Sequence, residues 1–198
     1  DGKTYSTNVE VPEDIPLSTW DVTIQSWEPG DKITRSETRN GITTTEATYT
    51  TNKVDIHVGE TELIPWKDMQ QVGPEVSGVG TYTTTFNLPE NWNVKTNGLE
   101  FCADSFCGGT AAIFVNGTQV PVDMDSCIAD ISDYVQLGEN TIQVRVTSSL
   151  RNRMIEQQYS GWMGEMQPDN YGMTGDVVLQ TYTKVATVNK GILNSVIE

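Results

Sequence analysis

The sequence predicts an all-β protein, an antiparallel β-sandwich of the jelly-roll kind. Three observations carry that expectation. Short runs alternate apolar and polar residues with period two; Gly, Pro, Asn and Asp punctuate them often; and no helical spacing is sustained over three turns. Strands buried on one face only show this alternation, because successive side chains point to opposite sides of a sheet.

Taken in chain order, Val22 and Ile24 alternate with Thr23 and Gln25, and Val54, Ile56 and Val58 with Asp55 and His57. The run Thr81-Tyr82-Thr83-Thr84-Thr85-Phe86 is β-branched and aromatic throughout. Ala111 to Val115 and Thr118 to Val122 flank Asn116-Gly117, a pair suited to the positive φ angles of a type I′ hairpin turn. The match of Asn116-Gly117-Thr118 to a glycosylation acceptor is read as chance in so tight a hairpin. Leu137-Gly138-Glu139-Asn140 predicts a second turn, before a strand through Ile142, Val144 and Val146, and Val177 to Leu179 predicts the last strand. Met154 to Gln158 reads as a short turn at most. Residues 28–52 are polar and Thr-rich, with turns at Glu28-Pro29-Gly30-Asp31 and Asn40-Gly41, and read as an exposed hairpin or an edge strand. Residues 1–183 are expected to form one module, and 184–198 an extension or linker.

Composition narrows the function. Twelve Lys and Arg stand against 27 Asp and Glu, a formal net charge of −15. Such a field repels phosphate backbones and anionic lipid, which disfavours nucleic acid and membrane-surface partners and leaves neutral sugars or cations open. No apolar run approaches the roughly 20 residues of a membrane span. His57 is the single histidine, and Cys102, Cys107 and Cys127 lack zinc-site spacing. The cysteines therefore read either as one disulfide and one buried thiol or as three free thiols. Hard oxygen ligands near the loops are compatible with a structural calcium, but no Asp-x-Asp-x-Asp-Gly loop names its ligands. Scattered carboxylates do not define a glycosidase acid–base pair, and no Gly-x-Ser-x-Gly elbow is present, so no catalytic residue is assigned.

Several segments together resemble a known family. Gly78-Val79-Gly80-Thr81-Tyr82 through Phe86 with Leu88-Pro89, then Val115-Asn116-Gly117, Asp130-Ile131-Ser132-Asp133-Tyr134 and Leu137-Gly138-Glu139-Asn140-Thr141-Ile142-Gln143-Val144, resemble the galactose-binding-like modules of large bacterial glycoside hydrolases. Pro65-Trp66-Lys67-Asp68, Ser149 to Arg153 and Tyr171 to Val177 bring the likeness closer to C-terminal modules of α-L-rhamnosidase-like enzymes. The likeness covers roughly residues 60–182; the three cysteines and the Thr-rich stretch depart from it. It implies a non-catalytic accessory module, secreted or on the bacterial cell surface, whose partners are poly- or oligosaccharide and the other domains of a parent hydrolase. A monomer is the expected state.

Strand order sorts the loops. With the Asn116-Gly117 turn at one end, stretches 66–79, 104–110, 123–129 and 148–175 fall at the other, and the 88–98 and Gly138 connections fall beside the turn. Long loops sharing one end of a rigid scaffold are where binding residues gather. Sugar recognition needs a flat aromatic face and planar polar groups, which nominates Trp162 or Tyr159 as platform with Asn152, Arg153, Asp169 and Asn170, joined by Asp104 and Asp125. Arg151 and Arg153 have a plainer alternative role in holding the loop, Trp20, Trp27 and Trp66 read as structural, and Tyr171 as packing. The same sorting places Cys107 and Cys127 on neighbouring loops, so a Cys107–Cys127 disulfide is expected, with Cys102 buried and free.

Overall fold

The computed structural model describes residues 11–157 and 166–184. Two antiparallel sheets face each other, as the alternation predicts. The smaller sheet has the order β1-β10-β5-β8, from β1 (Ile15–Pro16), β5 (Asn97–Cys107), β8 (Ile128–Asp130) and β10 (Gly172–Thr183). The larger has the order β3-β2-β4-β9-β6-β7, from β2 (Trp20–Arg39), β3 (Ile42–Thr61), β4 (Gly78–Leu88), β6 (Ala111–Val115), β7 (Thr118–Val120) and β9 (Gly138–Thr147). One 3₁₀ turn (Trp66–Asp68) and one helix, α1 (Arg151–Glu156), interrupt the connections.

Inward positions follow the predicted period. Val22 and Ile24 of β2, Tyr82 and Phe86 of β4, and Ile142, Val144 and Val146 of β9 are buried against Leu99 and Phe101 of β5 and Leu179 of β10. Burying apolar area at roughly 25 cal/mol per Å² makes this seam the main source of stability. The hairpin turns form where expected, with Asn116 at φ 50° and Gly117 at 81°, and Asn40 at 51° and Gly41 at 76°. Two local readings are corrected. Glu28 to Asp31 is not a turn but lies within β2, where Pro29 pairs with Thr51 and Lys32 with Tyr49, so Gly30 and Asp31 bulge opposite Thr50. The expected turn at Met154 is a helix that begins at Arg151.

The β2–β3 hairpin outgrows the sandwich. Only Asp21 to Ser26 of β2 pair with β4; beyond Ser26 the two strands continue alone to Asn40-Gly41. At ~3.3 Å per residue, this ribbon projects roughly 40 Å from the body. Every residue from 31 to 55 is exposed. Thus the Thr-rich stretch is both an exposed hairpin and the edge of the larger sheet.

The expected Cys107–Cys127 disulfide does not form; all three thiols are free. Ala103 N–H donates to Cys127 O at 3.1 Å, which sets Cys127 alongside Ala103 and four residues down β5 from Cys107. That offset is about 13 Å along a strand, against the roughly 7 Å limit between Cα atoms of a bridge. Cys107 Sγ instead sits 3.2 Å from Ser105 Oγ and 3.7 Å from Thr174 Oγ1. Cys102 is half-buried rather than buried, and that burial, followed by the charge of Glu100, holds its thiol above the ordinary range.

Candidate functional site at the root of the ribbon

The loops sort as expected. Gly78 pairs with Ser26 and accepts the Ser148 N–H at 2.9 Å, while Gly172 pairs with Cys107, so the ribbon root, α1 and the 104–110 loop share one end. Beneath them lies a buried aromatic floor. Trp66 Nε1–H donates to Tyr82 Oη at 2.6 Å, and Trp66 meets Tyr171 edge to face with centroids 5.9 Å apart. Burial pushes the Tyr82 phenol up to about 12, against the lowering effect of its bond from Trp66. Gly172, at φ +107°, passes so close that a Cβ would overlap both Tyr82 Oη and Trp66 Nε1.

The sugar-binding residues nominated from sequence separate into different jobs. Trp162 and Tyr159 lie outside the described residues. Asn152 is buried; its amide donates to Asp169 O at 3.0 Å and accepts from Asp169 N–H at 2.9 Å. Arg151 Nη1 contacts Asp169 Oδ1 at 2.6 Å and donates to Gln167 O at 3.2 Å. These contacts close the base of the 148–171 loop on itself. Asp104 is exposed in the other sheet, where Oδ2 accepts the Asp176 N–H at 2.9 Å and holds the β10 bulge at Gly175. Asp125 is exposed and its N–H bonds Asp123 Oδ1 at 3.0 Å. Asn170 is exposed next to the buried Tyr171. Trp20, Trp66 and Tyr171 are buried, in agreement with their structural reading.

Arg153 joins this loop to the root of the ribbon. Its Nη2 donates to Ser26 Oγ at 2.9 Å and lies 3.8 Å from Glu28 Oε1, with the side chain only 14% exposed. Its Nε is buried and is the one such side-chain atom without a hydrogen-bond partner among the described residues. Arg153 and Leu150 form one wall of a concavity of about 380 Å³ whose other walls are Trp27, Glu28 and the β3 stretch around Tyr49. That volume is at the small end of ligand pockets. Trp27 is half-buried, with Lys53 Nζ 4.5 Å from its ring centroid, and Tyr49 is 53% exposed.

Two other concavities differ in chemistry. One of about 550 Å³ between Leu17, Leu63 and Val177 offers chiefly aliphatic and backbone surface, with Glu62 and Asp176 at its border. One of about 490 Å³ beside β8 carries Asp123, Asp130, Asp133 and Tyr134. Of these three concavities among the described residues, the one at the ribbon root combines two exposed or half-exposed aromatic rings, a carboxylate and a guanidinium. Sequence reading took Trp27 as structural and passed over Tyr49, because their approach to Arg153 of α1 joins segments far apart in the chain and leaves no local pattern. Among the described residues, no group of three or more His, Cys, Asp or Glu is arranged to hold a metal ion, and no helix is long and apolar enough to cross a membrane.

The same fold recurs within a rhamnosidase. The chain superposes on the rhamnosidase of Novosphingobium sp. PP1Y with a TM-score of 0.54 at 17% identity, over 91% of this chain and 16% of that one. It is also similar to a β-glucuronidase of an uncultured Clostridium sp. (TM-score 0.49, 14% identity, 91% of this chain and 30% of that). A third likeness is to the β-D-glucuronidase of Dictyoglomus thermophilum (TM-score 0.48, 18% identity, 89% and 29%). No protein-family model matches the chain, and no curated protein does. The likeness to the rhamnosidase establishes a shared β-sandwich, and this chain spans about a sixth of that enzyme.

Proposed function

We propose that this chain is a non-catalytic, galactose-binding-like accessory module of a secreted or cell-surface glycoside hydrolase, and that it binds a sugar in the concavity at the ribbon root. The observation that carries the reading is the meeting there of Tyr49 and Trp27 with Glu28 and Arg153. A sugar ring presents a C–H face that stacks on an aromatic side chain and hydroxyls that pair with carboxylate and guanidinium groups. A shallow site of this kind binds weakly and acts by tethering, raising the local concentration of substrate around a linked catalytic domain. The likeness to part of a rhamnosidase supports the parent class.

A spacer role, packing on a catalytic domain without holding sugar, draws support from a different observation. Asn152, Arg151 and Asp169 are paired with one another and leave little of the loop base free for ligand. The experiment that separates the two is a glycan array with the isolated chain, followed by titration calorimetry on each hit. Binding lost in Tyr49→Ala and Glu28→Gln, with an unchanged melting temperature, supports the module. A hit that survives both but is lost in Trp162→Ala keeps the module and moves its site to the loop. Silence across plant, host and microbial glycans gives the spacer reading.

A further inference from the structure

The edge of β3 is unusually bare. Edge strands in monomers are ordinarily blunted by charge, proline, bulges or a covering loop, because their free N–H and C=O groups template further pairing. β3 is the terminal strand of the larger sheet, and among the described residues no strand pairs with its outer edge. From Ile42 to Asn52 it holds a single charge, Glu46, and no proline, and seven of these eleven residues are Ile or Thr. The bulge at Gly30 and Asp31 is on β2, and the bulge of β3 itself lies at Val58, below the ribbon, so β3 is regular from Ile42 to Asn52. Ile42 is 71% exposed and Tyr49 53%.

We propose that the ribbon is a self-association element, through which two copies of this chain pair β3 against β3, antiparallel about a two-fold axis. Charge selects a second copy and this part of it. The chain carries −15 overall, so bodies brought face to face repel. The ribbon from Glu28 to Lys53 is neutral: Lys32, Arg35, Arg39 and Lys53 balance Glu28, Asp31, Glu37 and Glu46. A two-fold contact sets a strand against itself, and any register centred on a residue between Ile42 and Asn52 other than Glu46 brings no like charges directly opposite. The ribbon also holds the two bodies apart along its length. The contact is small, since an edge-to-edge pairing draws only on the exposed β3 residues 42–55 against the about 20–30 residues a side of a standard interface, so the dimer is weak and concentration-dependent.

Sedimentation equilibrium of the intact chain over a range of concentrations tests the proposal. A monomer–dimer equilibrium is expected, tightening when salt is raised to about 0.5 M, because screening relieves repulsion between the bodies more than it weakens a neutral, hydrogen-bonded contact. Thr44→Pro and Thr45→Pro supply the specific arm. Adjacent residues of a strand turn their N–H groups to opposite edges, so one proline strikes the outer edge and the other strikes the β2 ladder. The outer-edge variant is expected to weaken dimerisation about tenfold or more, a loss of about 1.4 kcal/mol, with β-sheet circular dichroism unchanged. A monomer at every concentration and salt overturns the proposal and hands the ribbon to a different partner. A dimer undiminished by both prolines also overturns it, by placing the contact elsewhere.

Discussion

Asn152 and Asp169 hold each other by two reciprocal hydrogen bonds, side-chain amide to backbone, at 2.9 and 3.0 Å. They stand 17 residues apart in the chain, and the pair fixes where α1 ends one strand connection and where the approach to β10 begins. Asn152→Ala leaves the Asp169 N–H and C=O without these partners. A loss of roughly 1–3 kcal/mol is expected in urea unfolding. Sugar affinity at the ribbon root should change far less, since Asn152 does not line it.

Tyr82 is expected to control the alkaline limit of stability. Its oxygen accepts from Trp66 Nε1 at 2.6 Å and from Met173 N–H at 3.2 Å. With its folded pKa raised to about 12 from an unfolded value near 10, its contribution is complete below the unfolded value. It is lost as pH rises from there through the folded value, by on the order of 2–3 kcal/mol. Tyr82→Phe abolishes that titration and strands two buried donors, which costs roughly 2–4 kcal/mol at neutral pH. Unfolding free energies measured between neutral and strongly alkaline pH check both; an unchanged alkaline slope in the variant contradicts the assignment.

Gly172→Ala is expected to be among the most damaging single substitutions. The added Cβ overlaps the Trp66–Tyr82 pair, and φ +107° strains any L side chain. Loss of soluble folded protein, or a fall in stability above about 3 kcal/mol, is the expected outcome. Gly117→Ala, also at positive φ but with open space around its Cβ, separates backbone strain from the clash and should cost less.

Denatured without reductant, the protein is expected to take alkylating agent at all three cysteines, as no bridge joins them. In the native state Cys102 should react slowly, because burial and Glu100 hold its thiol above the ordinary range and only the thiolate attacks. Peptide mass spectrometry reads both results. A Cys107–Cys127 cross-linked peptide from unreduced material contradicts the first.

Acid below the ordinary carboxylate range is expected to loosen the end of the sandwich opposite the ribbon root. Burial alone would raise the Asp130 carboxyl, but the Ser132 hydroxyl, then the Ser132 N–H at 2.9 Å and the Tyr182 hydroxyl at 2.8 Å, outweigh it and hold it below the usual range. A depressed folded pKa means stability present above the unfolded carboxylate range and lost as pH falls through the folded one. Amide exchange of Ser132 and Leu99, whose N–H donates to Ser132 Oγ, should rise over that interval and not do so in Asp130→Asn.

The sequence by itself determined the strands and the ends they connect. Alternation at Val22 and Ile24, and at Ile142, Val144 and Val146, is a local consequence of burying one face. Asn116-Gly117 and Asn40-Gly41 specify their turns through φ preference alone. From strand order followed the gathering of the long loops at one end. Tertiary structure decided what those loops do. Asn152, Arg151 and Asp169 have the residue types of a sugar site, yet whether an amide faces ligand or a backbone 17 residues away depends on how the loop closes, which no local pattern encodes. Tyr49 and Trp27 share a concavity with Arg153 because the tertiary fold brings segments from β2, β3 and α1 together. Cys107 and Cys127 were parted by strand register, a distance fixed by pairing rather than by loop order.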